Sequence, residues 1–108
     1  RLGGHLVQGH VDGVGRIAVV DRHLDGGATI TVTIPAELGS LVVHKGSIAI
    51  DGVSLTVAAL DGSEIQIALI PHTLAATTFG AAHVGDPVNI EVDMIGRYVA
   101  RLMERPER

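Results

Sequence analysis

Residues 28–34 alternate strictly. Ile30, Val32 and Ile34 fall on one side, and Thr29, Thr31 and Thr33 on the other. A period of two is that of a strand with one face buried, and Pro35 ends it. The stretch 45–57, KGSIAIDGVSLTV, carries the pattern twice, in residues 47–50 and 53–57 around Asp51-Gly52. Asp-Gly between two such runs predicts a tight hairpin, because a type I′ turn needs positive φ at both central positions. In the second run Val53, Leu55 and Val57 share a face, and Ser54 and Thr56 share the other. A small barrel fills its interior with apolar side chains. The hydroxyl pair should therefore point outward, beside the turn that carries Asp51, with Lys45 one strand-length upstream.

The rest of the chain predicts further short strands separated by turn residues. A strand is expected over 2–11, a turn at Asp12-Gly13, and a strand over 14–20 with Gly15 as a bulge. A polar turn region follows at 21–27, and 36–42 suits one or two helical turns. Asp61-Gly62 turns the chain into a strand over 64–70, which Pro71 ends. Residues 73–78 read as a short helical turn closed by Gly80, and Gly85-Asp86 leads into a last strand over 88–92. This spacing predicts an all-β protein, a six-stranded antiparallel Greek-key β-barrel with short helical turns. Beyond it the period changes. Ile95, Tyr98, Val99, Leu102 and Met103 form a helical stripe, with Asp93 as a candidate N-cap. The expected division is a barrel over 1–93 and a C-terminal helix and tail over 94–108.

Composition narrows the function classes. The chain has 108 residues, enough for one domain, and is 46% apolar but only 2% aromatic. Its core must come from Val, Ile, Leu and Ala. A net charge of -4, with one Phe and one Tyr, argues against nucleic acid, whose binding sites stack bases on aromatics in a basic groove. No run of about 18 apolar residues is present, so no membrane span is expected. The absence of cysteine excludes a disulfide scaffold and a thiol nucleophile, and is compatible with the cytosol.

Candidate chemistry sits in two places. His10 lies between Gly9 and Asp12-Gly13, where backbone can approach a ligand closely, and a histidine near neutrality can move protons. His5 and His10 fall on opposite faces of a strand and make no metal motif, so no metal is expected. Gly13–Gly15 lacks the third glycine and the following helix of a dinucleotide fingerprint. His23, His44 and His83 read as surface. Ile70-Pro71-His72-Thr73 breaks a strand, leaving backbone N–H and C=O groups that could meet a pyrimidine-like ring. It could equally be an ordinary strand-to-helix corner capped by Thr73.

Three motifs in order, GGHLVQGHVDGVG at 3–15, KGSIAIDGVSLTV at 45–57 and LIPHTLAATTFG at 69–80, closely resemble the lumazine-binding barrel of riboflavin synthases, specifically the C-terminal one. The resemblance runs from about residue 2 to residue 98. It implies a pocket lined by Gly9, His10, Val11, Lys45, Ser54, Leu55, Thr56, Ala68, Leu69, Ile70, Pro71, His72 and Thr73. His72 departs from the acidic residue often found there, and Phe79 replaces a more usual leucine. Asp93 matches a family aspartate. The implied activity is dismutation of two 6,7-dimethyl-8-ribityllumazines into riboflavin and 5-amino-6-ribitylaminouracil, without metal or redox cofactor. His10 and Ser54 are then the expected catalytic residues, with Lys45 and Asp51 toward the ribityl chain. Family enzymes carry two barrels per chain and assemble as homotrimers through the C-terminal helix, one ligand sitting on the N-terminal barrel of a neighbouring subunit. A single barrel suggests a fragment, which could pair as a dimer. The alternative is a non-catalytic lumazine- or flavin-binding module.

Overall fold

The computed structural model describes residues 11–92. Six strands form one closed antiparallel barrel: β1 (Gly13–Arg22), β2 (Ala28–Thr33), β3 (Ser47–Ile50), β4 (Val53–Asp61), β5 (Glu64–Leu69) and β6 (Pro87–Val92). Their order around the barrel is β1-β2-β5-β4-β3-β6, closed by the β1–β6 ladder. The expected all-β barrel is thus observed. The expected strand 2–11, the helical stripe beyond residue 92 and the division at residue 93 lie outside the described residues, except that Val11 itself is not in a strand.

Alternation builds the core. Ile30 and Val32 from β2 meet Ile65 and Ile67 from β5, and Ile48, Ile50, Val57 and Ile90 complete the interior at 1% exposure or less. Each such side chain contributes roughly 1.5–3 kcal/mol by leaving water. Phe79 is buried with them, as packing. Asp51 and Gly52 have φ of 51° and 80°, the positive pair that the β3–β4 hairpin requires. The strands are closed off at both ends. A short helix, α1 (Ala36–Gly39), buries Leu38 beneath one end. At the other end α2 (Pro71–Ala76) and a 3-10 turn (Thr78–Ala81) cross over, burying Leu74 and Phe79. The Arg22 guanidinium donates to the carbonyls of Gly80 and Ala82, 3.3 Å each, and holds that crossing against β1.

Three local expectations are corrected. Asp12-Gly13 is not a tight turn: Gly13 opens β1 opposite Ile90, and the Asp12 carboxylate accepts the Val92 N–H at 2.7 Å. Gly15 is in regular register with Val88, and the bulge falls between Ile17 and Val19. The glycine is there for space, since a Cβ would stand 2.7 Å from the Thr33 carbonyl oxygen. Finally, the helix after β5 starts at Pro71 rather than at Thr73. Proline at the first helical position loses no hydrogen bond and has the right φ.

Gly15→Ala should therefore destabilise the barrel by about 1–3 kcal/mol, the usual cost of overpacking. Urea denaturation measures it, and an unchanged midpoint would show that β1 and β2 can separate locally at no cost.

Candidate functional site

The β4–β5 ladder is short. It runs from Asp61 opposite Glu64 to Val57 opposite Ile67, with a bulge between Val57 and Ala59. Beyond Val57, residues 53–56 pair only with β3. Ala68 and Leu69 pair only with β2, opposite Thr29 and Ala28. The two strands thus run on past each other with no ladder between them, leaving a seam in the barrel wall.

Hydrogen-bond alternation determines what faces this seam. Lys45 donates its N–H to the Val57 carbonyl, and Val57 donates its N–H to Gly46, both at 2.9 Å. The backbone groups of Val57 therefore face β3, and those of Thr56 and Ser54 are directed so that Thr56, and Ser54 two residues before it, turn toward β5. On the other bank, Ile34 N–H donates to the Ser63 carbonyl at 2.8 Å. Counting along β5 from that pair, Ile65, Ile67 and Leu69 face β2, so the N–H and C=O of Ala68 face the seam. Ile70 continues in extended conformation, φ -78° and ψ 159°, before its carbonyl accepts the N–H of Leu74. The seam is thus edged by spaced backbone donors and acceptors, with the hydroxyls of Ser54 and Thr56 beside them.

Two features hold it open. Pro71 cannot donate and starts α2, which carries the chain off the sheet. At the bulge, the Ala58 carbonyl accepts from His44 Nε2, 3.1 Å away, and so is held toward the loop before β3. His44, expected only as a surface residue, is exposed but has this contact.

Side chains fall as the alternation predicts. Val53 and Val57 are buried, Leu55 is half-buried against the core, and Ser54 and Thr56 lie on the outer face. Ala68, Ile70, Pro71 and His72 are exposed, Thr73 is half-buried and Leu69 is buried. Ser54, Leu55, Thr56 and the 68–73 segment are therefore brought together. Thr73 is not the cap of α2; its carbonyl accepts the Thr77 hydroxyl at 2.7 Å. Lys45 is exposed with φ of 69°, a left-handed conformation unusual for lysine. Asp51 is turned toward β6: its Oδ1 accepts the Asn89 N–H at 2.7 Å, and its own N–H donates to the Asn89 carbonyl at 2.9 Å. Val11 is exposed. Gly9, His10 and Asp93 lie outside the described residues. Among the described residues, no three of His, Asp or Glu converge as metal ligands.

The family model described as "Lumazine binding domain" matches residues 8–93. The chain belongs to the lumazine-binding domain family. Riboflavin synthase of Brucella abortus is 47% identical over 104 residues, covering 95% of this chain and 50% of that protein. That of Photobacterium phosphoreum is 43% identical, covering 99% and 50%, and that of Bacillus subtilis 41%, covering 97% and 48%. The chain spans about half the length of these relatives. Crystal structures of LumP superpose on this barrel. The complex with 6,7-dimethyl-8-(1'-D-ribityl) lumazine has a TM-score of 0.71 at 27% identity, over 78% of this chain and 46% of that one. The complex with riboflavin gives 0.72 at 28%, over 79% and 45%.

Asp51 fastens the hairpin tip to β6, and it tolerates the left-handed backbone better than most residues. Asp51→Ala should cost about 1 kcal/mol, the net worth of a hydrogen bond. Thermal unfolding reads this, and an unchanged midpoint would show that the carboxylate is not anchoring the turn.

Proposed function

We propose that the seam between β4 and β5 binds one ribityllumazine or flavin, and that this domain supplies one half of a riboflavin synthase. The observation that carries the reading is the interrupted ladder. A pyrimidinedione edge presents alternating N–H and C=O groups, and the seam-facing backbone of Thr56 and Ala68, with the N–H of Ile70, offers complementary partners. An added strand would satisfy the same groups, but the β4 bulge and the start of α2 shorten the opening to a few residues. A planar heterocycle suits that opening better. Ser54 and Thr56 then orient the ring from its rim. Lys45 stands on the β3 side of β4, its N–H on the Val57 carbonyl, and Asp51 already spends one oxygen on Asn89.

The reaction joins two lumazines. One gives up a four-carbon unit to the other, leaving riboflavin and a diaminopyrimidine, and the main contribution is proximity of two stacked rings. A proton must leave an acidic ring methyl, and His10 is the assigned proton carrier; Ser54 polarises the ring it touches. This chemistry requires no resident metal or redox group. The second ligand would sit on an N-terminal barrel of a neighbouring subunit, within a homotrimer of two-barrel chains in the cytosol. The second reading, a non-catalytic lumazine- or flavin-binding module, is favoured by the likeness to LumP, whose structures hold such ligands.

Ser54→Leu should abolish riboflavin binding in a fluorescence titration while the barrel stays folded by circular dichroism. Unchanged affinity would remove the ligand from the seam. In a two-barrel enzyme containing this domain, His10→Gln should lower turnover by roughly 10- to 1,000-fold, with ligand affinity much less affected. The 108-residue chain alone should bind ligand yet form riboflavin far more slowly than the two-barrel enzyme. Equal rates would show that one kind of barrel suffices.

A further inference from the structure

The β1–β2 loop, residues 23–27, packs against the end of β5 that borders the seam. Thr29 is opposite Ala68, whose backbone edges the seam. Because Ala28 and Leu69 are the hydrogen-bonded pair, Thr29 and Ala68 form the close non-bonded pair, with side chains about 4.5–5.5 Å apart on the outer face. A Cβ on Gly26 would lie 3.4 Å from the Pro71 ring, and one on Gly27 would lie 2.8 Å from the Leu69 carbonyl oxygen. The loop is therefore packed closely against the strand end that borders the seam.

That loop carries two polar side chains, Asp25, whose Oδ1 accepts the Gly27 N–H at 2.8 Å within the loop, and His23. His23 Nε2 and the Thr29 hydroxyl lie 3.0 Å apart and share a hydrogen bond. The ring is exposed, yet this bond ties it to the strand beside Ala68. Its other nitrogen, Nδ1, lies over Gly27, 3.8 Å from where a Cβ there would stand, and has no hydrogen bond to protein among the described residues. From the seam across β5 to Thr29 is between one and two strand spacings, roughly 5–10 Å, the length of a fused bicyclic ring. Ala68 between them carries only a methyl group and does not obstruct that span.

We propose that His23, braced by Thr29, is a ligand-contacting residue that receives the polyol arm of the heterocycle bound in the seam. The inference rests on the seam reading above. A polyol suits this position because each hydroxyl both donates and accepts, so it can bond to an imidazole nitrogen whether that nitrogen donates or accepts. The ring's own imide edge needs fixed donors and acceptors, and these are supplied by the backbone on the two banks of the seam.

The test compares riboflavin with lumiflavin, which keeps the ring system and has a methyl in place of the ribityl chain, in fluorescence titrations of the full 108-residue chain. His23→Ala should weaken riboflavin about 3- to 10-fold, the loss of one net hydrogen bond, and leave lumiflavin within about 2-fold. Thr29→Val, which keeps the shape of the side chain and removes the brace, should shift riboflavin in the same direction with lumiflavin again unchanged. Equal weakening of both ligands would overturn the proposal, since the loop would then be shaping the ring site. So would unchanged riboflavin affinity in both variants. If the unmutated chain bound neither ligand, the seam reading itself would fail and this assignment with it. Binding by the unmutated chain with indifferent variants removes only His23.

Discussion

The whole arrangement depends on where the β4–β5 ladder stops. A closed barrel leaves no strand edge, because each strand's backbone groups are paired on both sides. Here closure is complete except beyond Val57 and Ile67. The stop is built into both banks. On β4 the bulge at Ala58 gives its carbonyl to His44 rather than to the ladder. On the β5 side Pro71 removes a donor and sends the chain into α2. Backbone groups that would otherwise pair are thus left along the seam, beside the buried apolar side chains of Ile50, Val57 and Ile67. That packing makes the opening rigid, since a core packed with branched side chains cannot close it without voids or overlap.

The same division explains how an almost purely aliphatic core can coexist with a chemical site. Inward positions are held to apolar residues by packing, and glycines occupy the points where strands or loops come closest, such as Gly15 against Thr33 and Gly27 against Leu69. Outward positions carry none of that burden. Ser54, Thr56, Thr29 and Ala68 are therefore free of the packing constraint that holds the core, and in the proposed reading they face the ligand. None of them is a core residue, and changing one should alter recognition more than stability.

What could be read from the sequence was what alternation and turn chemistry encode. The Thr-Ile repeat of β2 gave the inward face, and Asp51-Gly52 gave the hairpin and its register, so the outward placement of Ser54 and Thr56 followed. The Pro71 break was legible as well, though the helix it begins was expected two residues late, because proline ends strands and opens helices with equal ease. Bulges were not legible: Gly15 was the obvious candidate, but it serves close strand contact, and both bulges fall at alanines, Ala18 and Ala58, which carry no conformational signature. His44 and His23 were missed as partners for a related reason. Their hydrogen bonds, to Ala58 and Thr29, depend on the strand pairing of distant segments. The loop spacing DRHLDGG gave only a turn.

The position of the seam also bears on why a single barrel would be chemically incomplete. A ring held in the proposed site between β4 and β5 would be bordered by strand edges and by the start of α2, and its outward side would need a cover from outside the described residues. Joining two such rings requires their reacting carbons to come within near-attack distance, about 3–3.5 Å. Under the proposed reading, a second seam would have to face the first across an interface. If both barrels were identical and related by a two-fold axis, the two rings would sit in equivalent environments. The reaction makes them unequal, since one gives up carbon and the other accepts it. A second barrel with different residues at the corresponding positions would break that equivalence before chemistry begins. A protein twice this length, as the similar riboflavin synthases are, has room for such a partner.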